Sequence, residues 1–276
     1  MPIELSFVSL CFRAECGYAV YMWRGWIPAL CVVAQLLSAQ GGQQQGSRPG
    51  WPCVPGRPVD PTFLNVSEST GGQLFLFQRN EAAQSVALIN ANRTHPATVV
   101  RAVGNLPGER EFEFPVDSGM KSILLLASIQ CRNAIRLTRP SGAELTQTGS
   151  IRYIELQAGR IQQVDLPEPG MWKVWLKGTG LFVLSVLTKG DISLTGVSPA
   201  SAHLGGQVSN VRFQVVDAAA TPVSDIDSSG PDESGTWRFA VEPPVERFRI
   251  RVTGTDASGW PFERTHAVLF QAKLSK

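Results

Sequence analysis

Pro167-Glu168-Pro169-Gly170-Met171-Trp172-Lys173-Val174-Trp175-Leu176 decides the fold class of this chain. The first four residues make a tight turn, because proline presets one backbone angle and glycine adopts angles that other residues avoid. The next six alternate, so Trp172, Val174 and Leu176 face one way while Trp175 faces the other. Such a period of two marks a strand with one face against a core. Gly178-Thr179-Gly180 is read as a turn into a second apolar stretch, residues 181–187.

The same texture extends both ways. Residues 98–103 are β-branched, and Glu111-Phe112-Glu113-Phe114 puts phenylalanines on one face and glutamates on the other. Residues 122–129 form the continuous apolar run of a strand buried on both faces. Residues 134–138, 151–156 and 161–164 are further strands, with a turn at Pro140-Ser141-Gly142. A second set starts near Asp191, with alternation over residues 211–216, 237–241 and 248–252. Asp256-Ala257-Ser258-Gly259 then turns the chain into Trp260-Pro261-Phe262. Short strands with turn signals every eight to twelve residues or so predict antiparallel sandwiches. The expected fold is mainly β: an Ig-like β-sandwich over residues 96–190, then a smaller one over 191–276, packed end to end or incomplete. One short helix is predicted near 81–90, where Ala82, Val86 and Ile89 recur at helical spacing after Asn80.

The N-terminal third reads differently. Residues 26–37 are apolar but too few for a bilayer, which takes roughly twenty residues to cross. Arg24 before the run and Ala39 after it fit a secretory signal peptide over 22–39, started by Met22, with 1–21 as an upstream extension. The competing reading is a buried apolar segment of the folded domain. Residues 40–61, rich in Gln and Gly and then in Pro, read as a linker. Residues 62–95 hold a short strand, Gln73-Leu74-Phe75-Leu76-Phe77, after a turn at Thr70-Gly71-Gly72.

Composition bounds the function. Hydrophobic residues make up 43% of the 276, enough for a real core. A formal net charge of +2 without a basic stripe argues against nucleic acid as partner. His95, His203 and His266 are far apart, and none has metal-ligand spacing to another ligand type. No Gly-x-Ser-x-Gly elbow occurs, so the histidines are read as structural and no catalytic, cofactor or metal site is assigned. Glu111 and Glu113 are read as solvent-facing. Asp225, Asp227, Asp232 and Glu233 lie in an acidic loop that is read as solvated, with a weak calcium site as the alternative. Trp172 is expected in the core. Trp175 belongs either to an exposed recognition patch or under the neighbouring sandwich. Cys53 and Cys131 survive leader removal and can pair; otherwise Cys131 is half-buried and Cys53 seeks an outside partner. Asn65 and Asn92 stand in glycosylation triplets, Asn65-Val66-Ser67 and Asn92-Arg93-Thr94.

Three segments resemble the region that follows the von Willebrand factor A domain in hemicentin and related proteins. They are Pro167-Glu168-Pro169-Gly170-Met171-Trp172; the stretch from Phe248 through Gly254, Asp256 and Gly259 to Pro261-Phe262-Glu263-Arg264; and Ser69-Thr70-Gly71-Gly72-Gln73-Leu74-Phe75, which is similar to the close of the A domain. Glu263 stands where that family usually has glutamine. The resemblance covers roughly residues 62–264. It makes 62–95 a remnant of an A-domain tail and implies an extracellular adhesion or matrix-associated module that binds a protein partner. An A domain also carries an Asp-x-Ser-x-Ser cation site, which should precede the Thr70-Gly71-Gly72 segment; only leader and linker stand there. The near match Asp191-Ile192-Ser193-Leu194-Thr195 lies beyond the first sandwich, so metal-dependent binding is not carried over. The expectation is a secreted, non-enzymatic binding protein without cofactor or membrane span. The alternatives are a carbohydrate-active or carbohydrate-binding protein and a truncated product lacking the A domain.

Overall fold

A computed structural model describes residues 8–9, 19–22, 31–37, 61–78, 81, 94–146, 151–242 and 245–272. The chain is mainly β. Strands β1 (Val8–Ser9), β2 (Ala19–Met22) and β3 (Cys31–Leu37) are followed by helix α1 (Pro61–Thr70) and strand β4 (Gln73–Gln78). These four strands form a sheet in the order β1-β2-β3-β4, with β3 and β4 parallel. Residues 31–37 of the apolar run read as the core of a leader thus form a strand in this structure. The helix predicted near 81–90 lies outside the described residues apart from Glu81.

The first large unit is one five-stranded antiparallel sheet, in the order β5 (Ala97–Val116), β9 (Gly170–Lys189), β6 (Ser122–Thr138), β8 (Gly159–Asp165) and β7 (Ile151–Glu155). Two of these strands run for 20 residues. Gly178-Thr179-Gly180, expected to end a strand, instead lies inside β9, and the two predicted stretches on either side of it are one strand. Likewise 98–103 and 111–114 belong to one β5. Pro107 is tolerated there because it pairs with Thr179 from the edge strand of the sheet.

The reason is a fold of the sheet onto itself. Register pairs Phe112 with Val174 and Gly104 with Phe182, eight residues further along β9. A flat strand would put those positions roughly 26 Å apart. The Phe112 and Phe182 rings nevertheless lie 5.8 Å apart. The bend falls where Gly108 pairs with Gly178 and where β6 carries bulges between Ile129 and Cys131 and between Arg132 and Ala134. Both halves of the inner face meet in one core. Val100, Ala102, Phe112 and Phe114 of β5 meet Trp172, Val174, Phe182 and Leu184 of β9 there. A single sheet thereby makes both layers of the sandwich.

The second unit packs two sheets. One has the order β10 (Ser193–Ser198), β11 (Ser201–Gly205), β14 (Thr236–Arg238). The other has the order β13 (Pro222–Ile226), β12 (Val208–Val216), β15 (Arg247–Asp256), β16 (Pro261–Thr265), with β17 (Phe270–Gln271) also on β15. Phe213, Phe239, Phe248, Ile250 and Phe262 fill its core. Its β16 lies against β5 of the first unit.

Candidate functional site

The outer face of the folded sheet has two characters. On the half before the bend in β5 it presents Arg101 and Val103, with Val183, Ser185 and Leu187 from β9 and Leu124, Leu126 and Ser128 from β6, all buried. Helix α1 and strand β4 cover this half. Phe75 packs with Leu124, Leu126 and Leu187, while Ser185 donates to Gln73 at 2.7 Å. On the half beyond the bend the same face becomes charged and open. Glu111, Glu113 and Arg136 are exposed at 47, 54 and 54%.

Trp175 stands at the centre of that open half. Its register neighbours are Glu111 on β5 and Arg136 on β6. The Arg136 guanidinium lies 4.8 Å from the ring centroid and the Lys177 ammonium 5.7 Å. Lys173, two residues back on the same face, bridges Glu111 at 3.0 Å and Glu113 at 2.8 Å. Hydrogen bonds to Glu113 and then Glu111 push its ammonium up to about 12, so Lys173 keeps its charge through the physiological range. Trp175 is half-buried by these neighbours. An aromatic ring with a cation against it, ringed by charges of both signs on a rigid three-strand platform, has the composition of a recognition surface.

The remaining predicted residues are dispersed. Trp172 is in the core, its indole N–H donating to the Glu168 carbonyl at 2.9 Å. Asp225 accepts from Gln214 at 2.8 Å on the second unit, on a different sheet from Glu111 and Glu113. Asp232 closes its own turn, accepting from the Ser234 hydroxyl at 2.6 Å and the Thr236 amide at 3.0 Å. Those bonds hold its carboxyl below the usual range. Among the described residues no three His, Cys, Asp or Glu side chains are arranged to hold a metal ion, and no helix is long and apolar enough to cross a membrane. Asn65 is exposed on α1; Asn92 and Cys53 lie outside the described residues. Cys131, at the bend of β6, is in a disulfide whose other half is likewise outside the described side chains.

Two constellations were not foreseen from sequence. Ser122 and His95 are in contact, Oγ to Nε2 at 2.9 Å, with the Thr94 hydroxyl 2.9 Å from Nδ1. Ser122 and His95 are only 6 and 3% exposed, so a substrate reaches them only if their cover moves. Each ring nitrogen thus has a hydroxyl within hydrogen-bond distance. The other constellation joins the units. Glu68 of α1 accepts from Arg101 of β5 at 2.7 Å and, through its other oxygen, from Arg249 of β15. Arg264 of β16 donates to Asp117 at 2.8 Å. Asp256 accepts from the Ser118 hydroxyl at 2.7 Å and the Ser118 amide at 2.8 Å. A sequence signal existed for part of this: Arg101 interrupts the apolar run Val99-Val100-Arg101-Ala102-Val103.

No family model matches the chain, and no curated protein matches it in sequence. Among solved structures it is similar to the Bacillus licheniformis lipase BlEst2 in its propeptide form, at 16% identity and a TM-score of 0.37. That likeness covers 62% of this chain and 43% of the other. At that TM-score it bears on neither fold nor activity.

Proposed function

We propose that the chain is a secreted extracellular adhesion or matrix-associated module of the hemicentin-like kind, without catalysis of its own, that binds a protein partner through the Trp175 face. The carrying observation is the change of character along one sheet face, from covered and apolar to open and charged around a single aromatic. Two further features support the reading. A disulfide at Cys131 fits an oxidising compartment, and Asn65 is accessible to a glycan. A protein partner fits better than a sugar. Stacking on a pyranose needs a bare aromatic face, and Arg136 already lies against the Trp175 ring.

The test is retention on decellularised matrix of protein collected from the medium of expressing cells. Wild type should be retained, and the pair Trp175→Ala with Arg136→Glu should lower retention at least tenfold. Trp260→Ala removes a tryptophan that is 42% exposed on the second unit and should change nothing. Equal retention of wild type and the double variant, or absence of the protein from the medium, would sink the proposal.

A further inference from the structure

Strand β4 is held in place twice, by two unrelated sets of contacts. On one side it belongs to the first unit. Leu74, Phe75 and Leu76 are 0, 1 and 2% exposed. The Leu76 amide donates to the Ser128 hydroxyl at 3.2 Å, and Gln73 accepts from Ser185. The preceding Gly72 carbonyl accepts from the buried Arg101 at 2.6 Å. On the other side β4 carries β3 in parallel, with six register pairs running from Val32 opposite Gln73 to Leu37 opposite Gln78. The first set involves only residues of 61–189. The second involves residues 31–37, inside the segment read as a leader.

We propose that removal of the chain through Ala39 leaves β4 anchored with its β3-facing edge unpaired, and that this edge accepts an extended apolar strand of a protein partner in parallel. This rests on the leader reading given above. An exposed row of backbone donors and acceptors is a template for strand addition. The donor chemistry is visible in the strand now seated there, Cys31-Val32-Val33-Ala34-Gln35-Leu36-Leu37, which is β-branched or apolar at all but one position. The parallel register argues against a second copy as occupant, because two identical strand edges related by a two-fold axis meet antiparallel.

The experiment uses the product secreted by cells expressing the full chain. Mass spectrometry reads its N-terminus, and hydrogen exchange reads the amides of Gln73–Gln78 with and without a synthetic peptide of residues 32–37. With the leader removed, the alternate amides of this strand that face the vacated edge should exchange fast, and the peptide should slow them at least tenfold, while the Leu76 amide, which donates to Ser128, stays protected throughout. A peptide with proline at the positions of Val33 and Gln35 should have no effect, since proline removes the donors of the ladder. Slow exchange without peptide, or no slowing with it, overturns the acceptor role and leaves the leader reading standing; a doubled mass together with slow exchange would assign the edge to a second copy and also overturns it. If the N-terminus is intact, the leader reading fails and the acceptor proposal fails with it.

Discussion

Glu263 and His266, three residues apart, titrate in opposite senses. Burial pushes the Glu263 carboxyl up to about 7, against Arg251 at 3.8 Å and the neighbouring Arg264. Burial, with Arg249 adding to it, pulls His266 down to about 4; its ring stacks on Phe270 at 5.2 Å. Glu263 is protonated in the folded state over a window, about 4.5 to 7, in which the unfolded chain has lost that proton, so its contribution to stability falls as pH rises. His266 is neutral when folded from about 4 to 6.5, where the unfolded chain is protonated, so its contribution rises with pH. Each slope is at most about 1.4 kcal/mol per pH unit, and between them they leave a flat profile. Glu263→Gln should therefore show stability rising from pH 4.5 to 6.5, and His266→Phe, which keeps the stack, should show it falling over the same interval. Urea midpoints at three pH values in that range check this, and two variants with the wild-type profile would refute it. Little of this was legible beforehand. The sequence marks Glu263 only as a glutamate where the resembling proteins have glutamine, and burial of a strand's outward face by another unit leaves no mark on alternation.

At the scale of elements the strands were readable and their extents were not. Alternation located Phe112 and Phe114 of β5 and Trp172, Val174 and Leu176 of β9 in the core correctly, because period two survives a bend. The glycines misled. Pairs such as Gly178 and Gly180 serve turns in most chains, yet here the hydrogen-bonded ladder runs through them. What requires glycine is close approach. A Cβ at Gly178, where φ is +155°, would sit 2.3 Å from the Cys131 carbonyl oxygen. Its register partner Gly108, at φ +150°, has nothing within 4 Å of the same atom. Gly178→Ala should cost about 2–4 kcal/mol from clash and strain together, and Gly108→Ala about 1 kcal/mol from strain alone. Chemical denaturation of the two variants separates the cases, and equal losses would mean that the bend depends on backbone angle alone. The helix shows the complementary error. Pro61 at its first position and Gly71 just past its end, at φ +72°, are ordinary helix punctuation, yet no element is read between the end of the linker at 61 and the turn at Thr70-Gly71-Gly72.

For the molecule as a whole, the two units have separate apolar cores and are joined largely through buried charge. Helix α1, the folded sheet and the second sandwich meet at one carboxylate, Glu68, held between Arg101 and Arg249, both fully buried. Ion pairs this dry gain little net stability over an apolar contact, because desolvation offsets the attraction, but they are costly to break on one side. Glu68→Ala leaves two guanidinium groups facing each other out of water and should destabilise the protein by about 3–5 kcal/mol. Arg249→Met in the same background removes one of the stranded charges and should recover a large part of that loss, so the double variant is more stable than Glu68→Ala alone. Denaturant unfolding of wild type, both single variants and the double completes the cycle. Strict additivity would show that Glu68 and Arg249 are not coupled and that the second unit is held by Arg264, Asp117 and the Ser118–Asp256 contact instead. Recovery would show that the arrangement of the units is specified by residues 181 positions apart, which is why alternation and turn signals could find both sandwiches without finding how they dock.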